Sequence, residues 1–140
     1  MESSTRGRRR GCLVASGRVD ARTLTRTHAL GRVALGAGLT LAPRLTAAAW
    51  LGRDARRPAT QVPIRALGAR DLAIGLGTAY AVGQGHGVRP WLGAGALADA
   101  IDLAATLRVR HRLPAAGVAT VALMAGGSVL LELWLGSQLD

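Results

Sequence analysis

Four apolar segments of similar length follow one another after residue 28, and they constrain the fold more than any other feature of this sequence. We predict helices over about 29–51, 65–83, 90–108 and 114–136, each about 19–23 residues long. A helix needs about 20 apolar residues to cross the hydrocarbon core of a bilayer. The stretches between the segments are rich in Gly, Pro and Arg, which favour turns. The sequence therefore predicts an all-α fold: a four-helix transmembrane bundle with up-down-up-down topology.

Pro43 lies inside the first of these segments. Proline has no backbone N–H, and its ring clashes with the preceding turn, so it kinks or ends a helix. We expect the first helix to bend or stop there, which leaves 45–51 lying along the membrane interface.

Two features favour membrane-spanning helices over the buried helices of a soluble bundle. The stretch 117–131 carries no charge, whereas a surface helix of a soluble protein has a polar face. Trp50, Trp91 and Trp134 lie within a turn of predicted helix ends, where interfacial anchors are found in membrane proteins. We therefore expect a multipass protein of the cell (inner or plasma) membrane, with the lipid bilayer as its partner. The alternative is an Ala-rich soluble helical protein, favoured by charges within the first three segments.

The first 27 residues differ from the rest of the chain in composition. They hold seven arginines and two acidic residues, which is half of the chain's net charge of +10. The chain as a whole is apolar, with 49% hydrophobic residues. A segment so charged cannot form a core, so we predict a disordered basic tail over 1–27 and a transmembrane domain over 28–140. We expect no specific binding of nucleic acid, because the basic residues collect in this tail and in the turns.

Three of the four segments contain charges where a membrane helix is expected to be apolar. A charge near the middle of a spanning helix costs about 2.5–3.5 kcal/mol, so each needs a partner or water. If neighbouring segments form antiparallel hairpins, residues equally far from a turn lie at equal depth. This places five side chains in one buried polar layer: Arg44, Arg70, Asp71, Asp99 and Asp102. We predict ion pairs within it; alternatively, the arginines extend to the interface and the aspartates face a wet crevice.

Small residues recur every four positions along the second segment, at Ala69, Ala73, Gly77 and Ala81. Such a row lets membrane helices approach closely. Because Arg70 borders the row, we predict that the row packs against the third segment and brings Arg70 to its aspartates. The Gly and Ala faces also allow a homo-oligomer.

No arrangement of residues in the sequence indicates catalysis, a metal site or a cofactor. His28, His86 and His111 are far apart along the chain, and the single Cys12 excludes a cysteine-based zinc site. No Ser, Cys or His lies beside a partner that would orient it as a nucleophile. The sequence therefore predicts no catalytic residues, no metal and no cofactor, and does not favour an enzyme.

Three stretches carry a resemblance to a known family. They are Leu41-Ala42-Pro43-Arg44 with Trp50-Leu51-Gly52, the Gly-Ala-Arg-Asp element within 67–77, and Ala98-Asp99-Ala100-Ile101-Asp102. Together they resemble a family of small four-helix multipass membrane proteins from high-GC bacteria, a domain of unknown function. The resemblance covers about 29–135 and excludes the Arg-rich tail. It implies a multipass membrane protein and no particular activity.

Three functional classes remain open, and we rank them as follows. The first is a structural or accessory membrane bundle held together by the polar layer. The second is a proton- or cation-coupled carrier of small molecules that uses Asp99 and Asp102. The third is a membrane enzyme acting on a lipid or quinone, with one of these aspartates as acid or base. Membrane orientation is also open, because arginines flank the segments on both sides.

Overall fold

The computed structural model describes residues 20–139, which form helices joined by short turns. The α-helices are α1 (Ala21–Leu41), α2 (Pro43–Thr46), α3 (Ala48–Leu51), α4 (Pro58–Gln84), α5 (Val88–Arg108) and α6 (Ala115–Gln138). Two 3-10 turns, Gly52–Arg56 and Arg110–Arg112, complete the connections. The all-α prediction is confirmed for this part of the chain, which contains no strand.

Among the helices described, α6 alone is long and apolar enough to cross a membrane by length and composition. Its most apolar 18-residue window has a mean hydropathy of 1.8, and only 17% of that window is buried. The core helix of a soluble protein would be mostly buried, whereas α6 leaves most of its apolar surface outside. The other three long helices contain more Arg and Asp, which lowers their mean hydropathy.

The first long helix begins earlier than the sequence predicts, at Ala21. Asp20 caps it: the Asp20 side chain accepts hydrogen bonds from the backbone N–H of Arg22 and the hydroxyl of Thr23, each at 3.4 Å. Leu24 then packs against a buried apolar cluster. The prediction of a disordered tail is therefore corrected for 21–27, which are helical; 1–19 lie outside the described residues.

Pro43 separates the first predicted segment into α1 and two short helices. Ala42, the residue before it, has φ −128° and ψ 53° and leaves the helical conformation, as expected before a proline. The expectation that Pro43 ends or bends the first helix is thus confirmed. The segment predicted as one helix over 29–51 instead turns at this point, and α2 and α3 cross one end of the bundle.

Helices α5 and α6 lie within about two residues of their predicted bounds, whereas α4 ends where expected but begins at Pro58, seven residues before the predicted start at 65. Pro58 occupies a first-turn position of α4, where its missing N–H costs no helical hydrogen bond. Gly85, with φ 80°, ends α4 in the left-handed conformation that favours glycine. We call this the Gly85 end of the bundle; it also holds the start of α1 and the end of α6. The opposite, Arg110 end holds α2, α3 and both 3-10 turns.

The closest long-helix contact is between α1 and α4, and glycine makes it possible. A Cβ on Gly36 would lie 2.6 Å from the backbone nitrogen of Leu72 and 2.7 Å from the carbonyl oxygen of Gly68. A Cβ on Gly75 would lie 2.9 Å from the carbonyl oxygen of Ala29. The two backbones therefore touch directly, as in the small-residue interfaces of membrane helices.

The row of small residues on α4 was predicted to pack against the third segment, which is α5, and only part of it does so. Ala69 and Ala73 are exposed, whereas Gly77 has no room for a Cβ beside the ring of Trp91 on α5, and Ala81 is buried at the Gly85 end. The correction arises because α4 has two neighbours. One face meets α1 through glycines outside the predicted row, and only part of the row meets α5.

The interior has three levels along the bundle axis. A cluster of Leu39, Ala47, Ala55 and Ile64 fills the Arg110 end. A second cluster of Ala81, Val88, Leu92 and Leu135 fills the Gly85 end. Between them the buried side chains are largely polar or charged: Arg32, Asp71, Asp99 and Glu132. Two apolar caps thus enclose a charged middle.

The exposed charged residues of the described chain lie at the two ends. At the Gly85 end they are Asp20, Arg22, Arg26 and Arg89. At the Arg110 end they are Arg44, residues within 53–57, Arg65, and residues within 108–112. On α5 the two exposed arginines at the helix ends are about 28 Å apart at 1.5 Å per residue. Between the ends, the charged side chains of residues 20–139 are buried or only partly exposed; Arg70 is 30% and Asp102 is 21% exposed.

Candidate functional site

Arg32, near the middle of α1, is the centre of a buried network of ion pairs. Its Nη1 donates to Asp71 Oδ1 at 3.2 Å, and its Nη2 donates to Glu132 Oε1 at 3.0 Å and also to Asp99 Oδ2. Only 5% of the Arg32 side chain is exposed. One guanidinium therefore joins carboxylates from α4, α5 and α6, so all four long helices meet at this residue.

A second arginine, Arg70, continues the network toward the Arg110 end. Its Nη1 and Nη2 donate to the two oxygens of Asp102 at 3.1 and 2.7 Å. Nε and Nη2 also donate to Asp71 Oδ1, at 3.2 and 2.9 Å. The Asp102 contact is the bidentate fork that guanidinium and carboxylate geometry favours. Asp71 links the two arginines, because its Oδ1 accepts from both.

Glu132 closes the network on α6. Its Oε1 lies 3.0 Å from His28 Nε2, one turn before Arg32 on α1, and only 2% of the Glu132 side chain is exposed. Gly95 on α5 provides the space, since a Cβ there would lie 2.8 Å from the Glu132 carboxyl carbon. This contact couples α1 to α6 at the Gly85 side of the network.

The network contains more acidic than basic groups. Two guanidiniums, those of Arg32 and Arg70, face four carboxylates: Asp71, Asp99, Asp102 and Glu132. The net charge is −2 when all are ionised and His28 is neutral. Each guanidinium is already shared by at least two carboxylates, so the excess charge is negative.

A cavity of about 370 Å³ lies beside the network, between α1 and α6. His28, Arg32, Asp71, Asp99 and Asp102 form its charged wall. Most of the remaining wall is apolar and comes from α1, α4, α6 and the short helices. Along most of their length α1 and α6 make little direct contact, because the cavity separates them.

Trp50 was predicted as an interfacial anchor, together with Trp91 and Trp134. Trp91 and Trp134 are 38% and 49% exposed near the Gly85 end. Trp50 is half-buried on α3 and lines the cavity, and its buried indole N–H has no acceptor among the described residues. Trp50 thus also closes the Arg110 end of the cavity, and its anchoring role stays a prediction.

The structure brings together four of the five residues predicted to form the polar layer, namely Arg70, Asp71, Asp99 and Asp102. Arg44 is the exception and requires a correction. It is exposed on α2 and lines a separate groove with Arg65 at the Arg110 end.

Helix bounds explain why Arg32 takes the place predicted for Arg44. The hairpin alignment assumed a first helix over 29–51, but α1 covers Ala21–Leu41. This shifts the register of α1 on α4 by about three turns, at 3.6 residues per turn. The alignment between α4 and α5 needed no such shift, because the turn at Gly85 lies where it was expected.

Sequence reasoning missed Arg32, His28 and Glu132 as members of the network. One signal for them existed: His28 and Arg32 are four residues apart and share a helical face. Glu132 is the sole acidic residue of the last predicted segment, so the sequence offered no second charge there to indicate which way it faces. Only the packing of α6 on α5, at Gly95, shows that its carboxylate points inward.

The described residues contain no group of three or more His, Cys, Asp or Glu side chains that could hold a metal ion. The carboxylates here are bound to guanidiniums instead. No family model matches this chain, and neither a curated protein nor a solved structure matches it. The resemblance stated from sequence therefore stays an expectation.

The two aspartates that bind Arg70 differ in their expected contribution to stability. Asp71→Asn weakens bonds to two arginines, whereas Asp102→Asn weakens bonds to Arg70 alone, whose side chain is 30% exposed. Hydrogen bonds to charged groups contribute about 1.5–3 kcal/mol each. We therefore expect Asp71→Asn to lower the free energy of unfolding about twice as much, measured by denaturant titration in detergent. Equal losses would contradict the bridging role of Asp71.

Proposed function

We propose that this chain is a small multipass integral membrane protein in which α1, α4, α5 and α6 cross the bilayer. The ion-pair network then ties the four helices together, which gives a structural or accessory bundle. The observation that carries this proposal is the location of the exposed charges toward the two ends of the bundle, which on α5 are about 28 Å apart at 1.5 Å per residue. That separation is close to the thickness of a bilayer hydrocarbon core, about 30 Å.

The distribution of polarity between surface and interior also supports the proposal. Between the charged ends the outer surface exposes large apolar side chains, among them Leu76 (57% exposed), Leu97 (64%) and Leu123 (78%). The buried positions at the same depth include the charged network. In water this arrangement would expose apolar surface and bury charge, both at a cost. In lipid, an apolar exterior around a paired polar interior is favourable.

Labelling of single cysteines tests membrane insertion. In a Cys12→Ser background, we expect Leu97→Cys and Leu123→Cys in proteoliposomes to resist a membrane-impermeant maleimide, because a thiol in hydrocarbon is neither ionised nor accessible. Arg53→Cys and Arg110→Cys, in the turns of the Arg110 end, are the matched controls. They react once the vesicles are permeabilised without dissolving the bilayer.

Two outcomes would count against insertion. One is labelling of the Leu97 and Leu123 positions as fast as the turn positions. The other is release of the protein from membranes by an alkaline carbonate wash. After denaturation in SDS, all four cysteines must react, which excludes a masked thiol as the cause of protection.

A second candidate function, a carrier of a small molecule, is favoured by the cavity. A purely structural network needs no cavity beside it, and here Asp99 and Asp102 both line one. Carriers built from membrane helices often bind their substrates near the bilayer midplane. Asp99 lies near the middle of α5, at that depth in the proposed arrangement.

A further inference from the structure

We infer that the cavity between α1 and α6 is a binding site for a lipophilic organic cation, an amine or quaternary ammonium with an apolar body. The inference rests on the membrane insertion proposed above. It goes further by naming the class of ligand, the residues that select its charge and the route by which it enters.

The size and lining of the cavity suit a small organic molecule. Its volume of about 370 Å³ lies in the range of ligand sites, roughly 300–1,000 Å³. Leu35 and Leu39 of α1 face Val121 and Met124 of α6 across it. An apolar body can therefore fill the space without burying polar atoms against hydrocarbon.

The charge of the wall selects a cation. The Nη groups of both guanidiniums donate to carboxylates, while Arg32 Nε has no acceptor among the described residues; the network has an excess of two negative charges when fully ionised. Asp99 uses Oδ2 for Arg32, while its Oδ1 accepts no hydrogen bond from the described residues. Asp71 likewise uses only Oδ1. Because both residues line the cavity, an ammonium group there would meet free carboxylate oxygens, whereas an anion would be repelled.

Trp50 adds a second feature that suits a cation. It lines the cavity at the end opposite His28. Indole faces attract ammonium groups through the quadrupole of the ring, and quaternary ammonium ligands are commonly recognised by aromatic residues. A cation with an aromatic or branched body can thus touch the acidic wall and the indole together.

The opening of the cavity indicates how the ligand enters. Gly31 on α1, and Thr120 and Met124 on α6, line the cavity and are exposed on the outer surface. This opening lies between the two charged ends, so in the proposed orientation it faces acyl chains. A ligand must therefore partition into lipid before it binds, which explains the requirement for an apolar body.

Calorimetric titration into phosphatidylcholine nanodiscs tests the site. The probe is benzyltrimethylammonium, compared with its neutral isostere 2,2-dimethylpropylbenzene and with the anion benzenesulfonate. We expect saturable binding of one benzyltrimethylammonium per chain, at least tenfold tighter than either comparison compound. Empty nanodiscs measure partition into lipid, which is subtracted.

A matched pair of variants on α6 locates the binding. Met124→Trp fills the opening without touching the ion pairs, and we expect at least a tenfold loss of affinity. Leu123→Trp is the control, because Leu123 is 78% exposed and does not line the cavity. Asp99→Asn is expected to lose affinity as well, with Asp54→Asn in the exposed turn as its control.

Three results would overturn the inference: no saturable binding to the inserted wild-type chain, equal binding of the neutral or anionic compound, or full affinity in Met124→Trp. Should Asp99→Asn fail to fold, the Met124→Trp comparison still decides. Failure of the proposed function is distinguishable, because the chain would then not enter nanodiscs, and the Leu97→Cys and Leu123→Cys variants would be labelled. Insertion without binding removes this inference alone.

Discussion

Arg32→Met is expected to lower the free energy of unfolding by about 3–5 kcal/mol, the range for breaking a buried ion pair by removing one partner. Methionine matches much of the aliphatic volume of arginine, so the effect comes from the charge. Three carboxylates, those of Asp71, Asp99 and Glu132, would lose a shared cation. Arg70 reaches only the first of them, so the other two would stay buried with no guanidinium.

Titration with SDS in dodecyl maltoside micelles, followed by circular dichroism, measures this loss. Arg26→Met is the matched control, because Arg26 lies on the same helix and is exposed. It is expected to change stability by less than about 0.5 kcal/mol. Arg32→Lys should restore only part of the loss, since one ammonium cannot reproduce the planar fork of a guanidinium. A stable Arg32→Met variant would show that the network does not hold the helices together.

Gly36→Ala is expected to destabilise the contact between α1 and α4 strongly. The new Cβ would lie 2.6 and 2.7 Å from backbone atoms of Leu72 and Gly68, and backbone cannot move aside as a flexible side chain can. Overpacking of a core costs about 1–3 kcal/mol, and we expect a loss at the upper end of that range. Because α1 would separate from α4, the Arg32–Asp71 contact should weaken at the same time.

Gly31→Ala is the matched control on the same helix. A Cβ on Gly31 would have no atom within 4 Å, so alanine should be neutral or stabilise α1 by about 0.5–1 kcal/mol through helix propensity. The same SDS titration compares the two variants. Equal stability of Gly36→Ala and Gly31→Ala would contradict the direct backbone contact between α1 and α4.

The cavity lies on the side of the bundle where α1 faces α6, and there the ion-pair network supplies most of the contact between helices. The contacts of α1 with α4, and of α5 with α6, are extensive, whereas α1 and α6 are joined mainly through the side chains of His28, Arg32 and Glu132. This is the side on which the cavity opens. Binding of a cation there would act on the same carboxylates that hold the two helix pairs together.

Much of the local structure followed from residue types. Pro43 predicted the end of α1, and the glycines near 83–87 predicted the turn between α4 and α5. The position of that turn was enough to place Arg70 at the depth of Asp102, because in an antiparallel helix pair residues equally far from the turn lie side by side. The early start of α1 was missed because the high charge and low hydrophobicity of residues 1–27 favoured a disordered segment.

The composition and periodicity of the chain determined the helical class, the location of the breaks and the need for the internal charges to find partners. Those properties are local, because each depends on a few neighbouring residues. The tertiary structure decided which arginine satisfies the aspartates, which glycines form the closest helix contact, and that Glu132 points inward. These depend on the register and rotation of each helix against its neighbours. A shift of three turns in α1 exchanges Arg44 for Arg32 while leaving the apolar pattern of the chain unchanged.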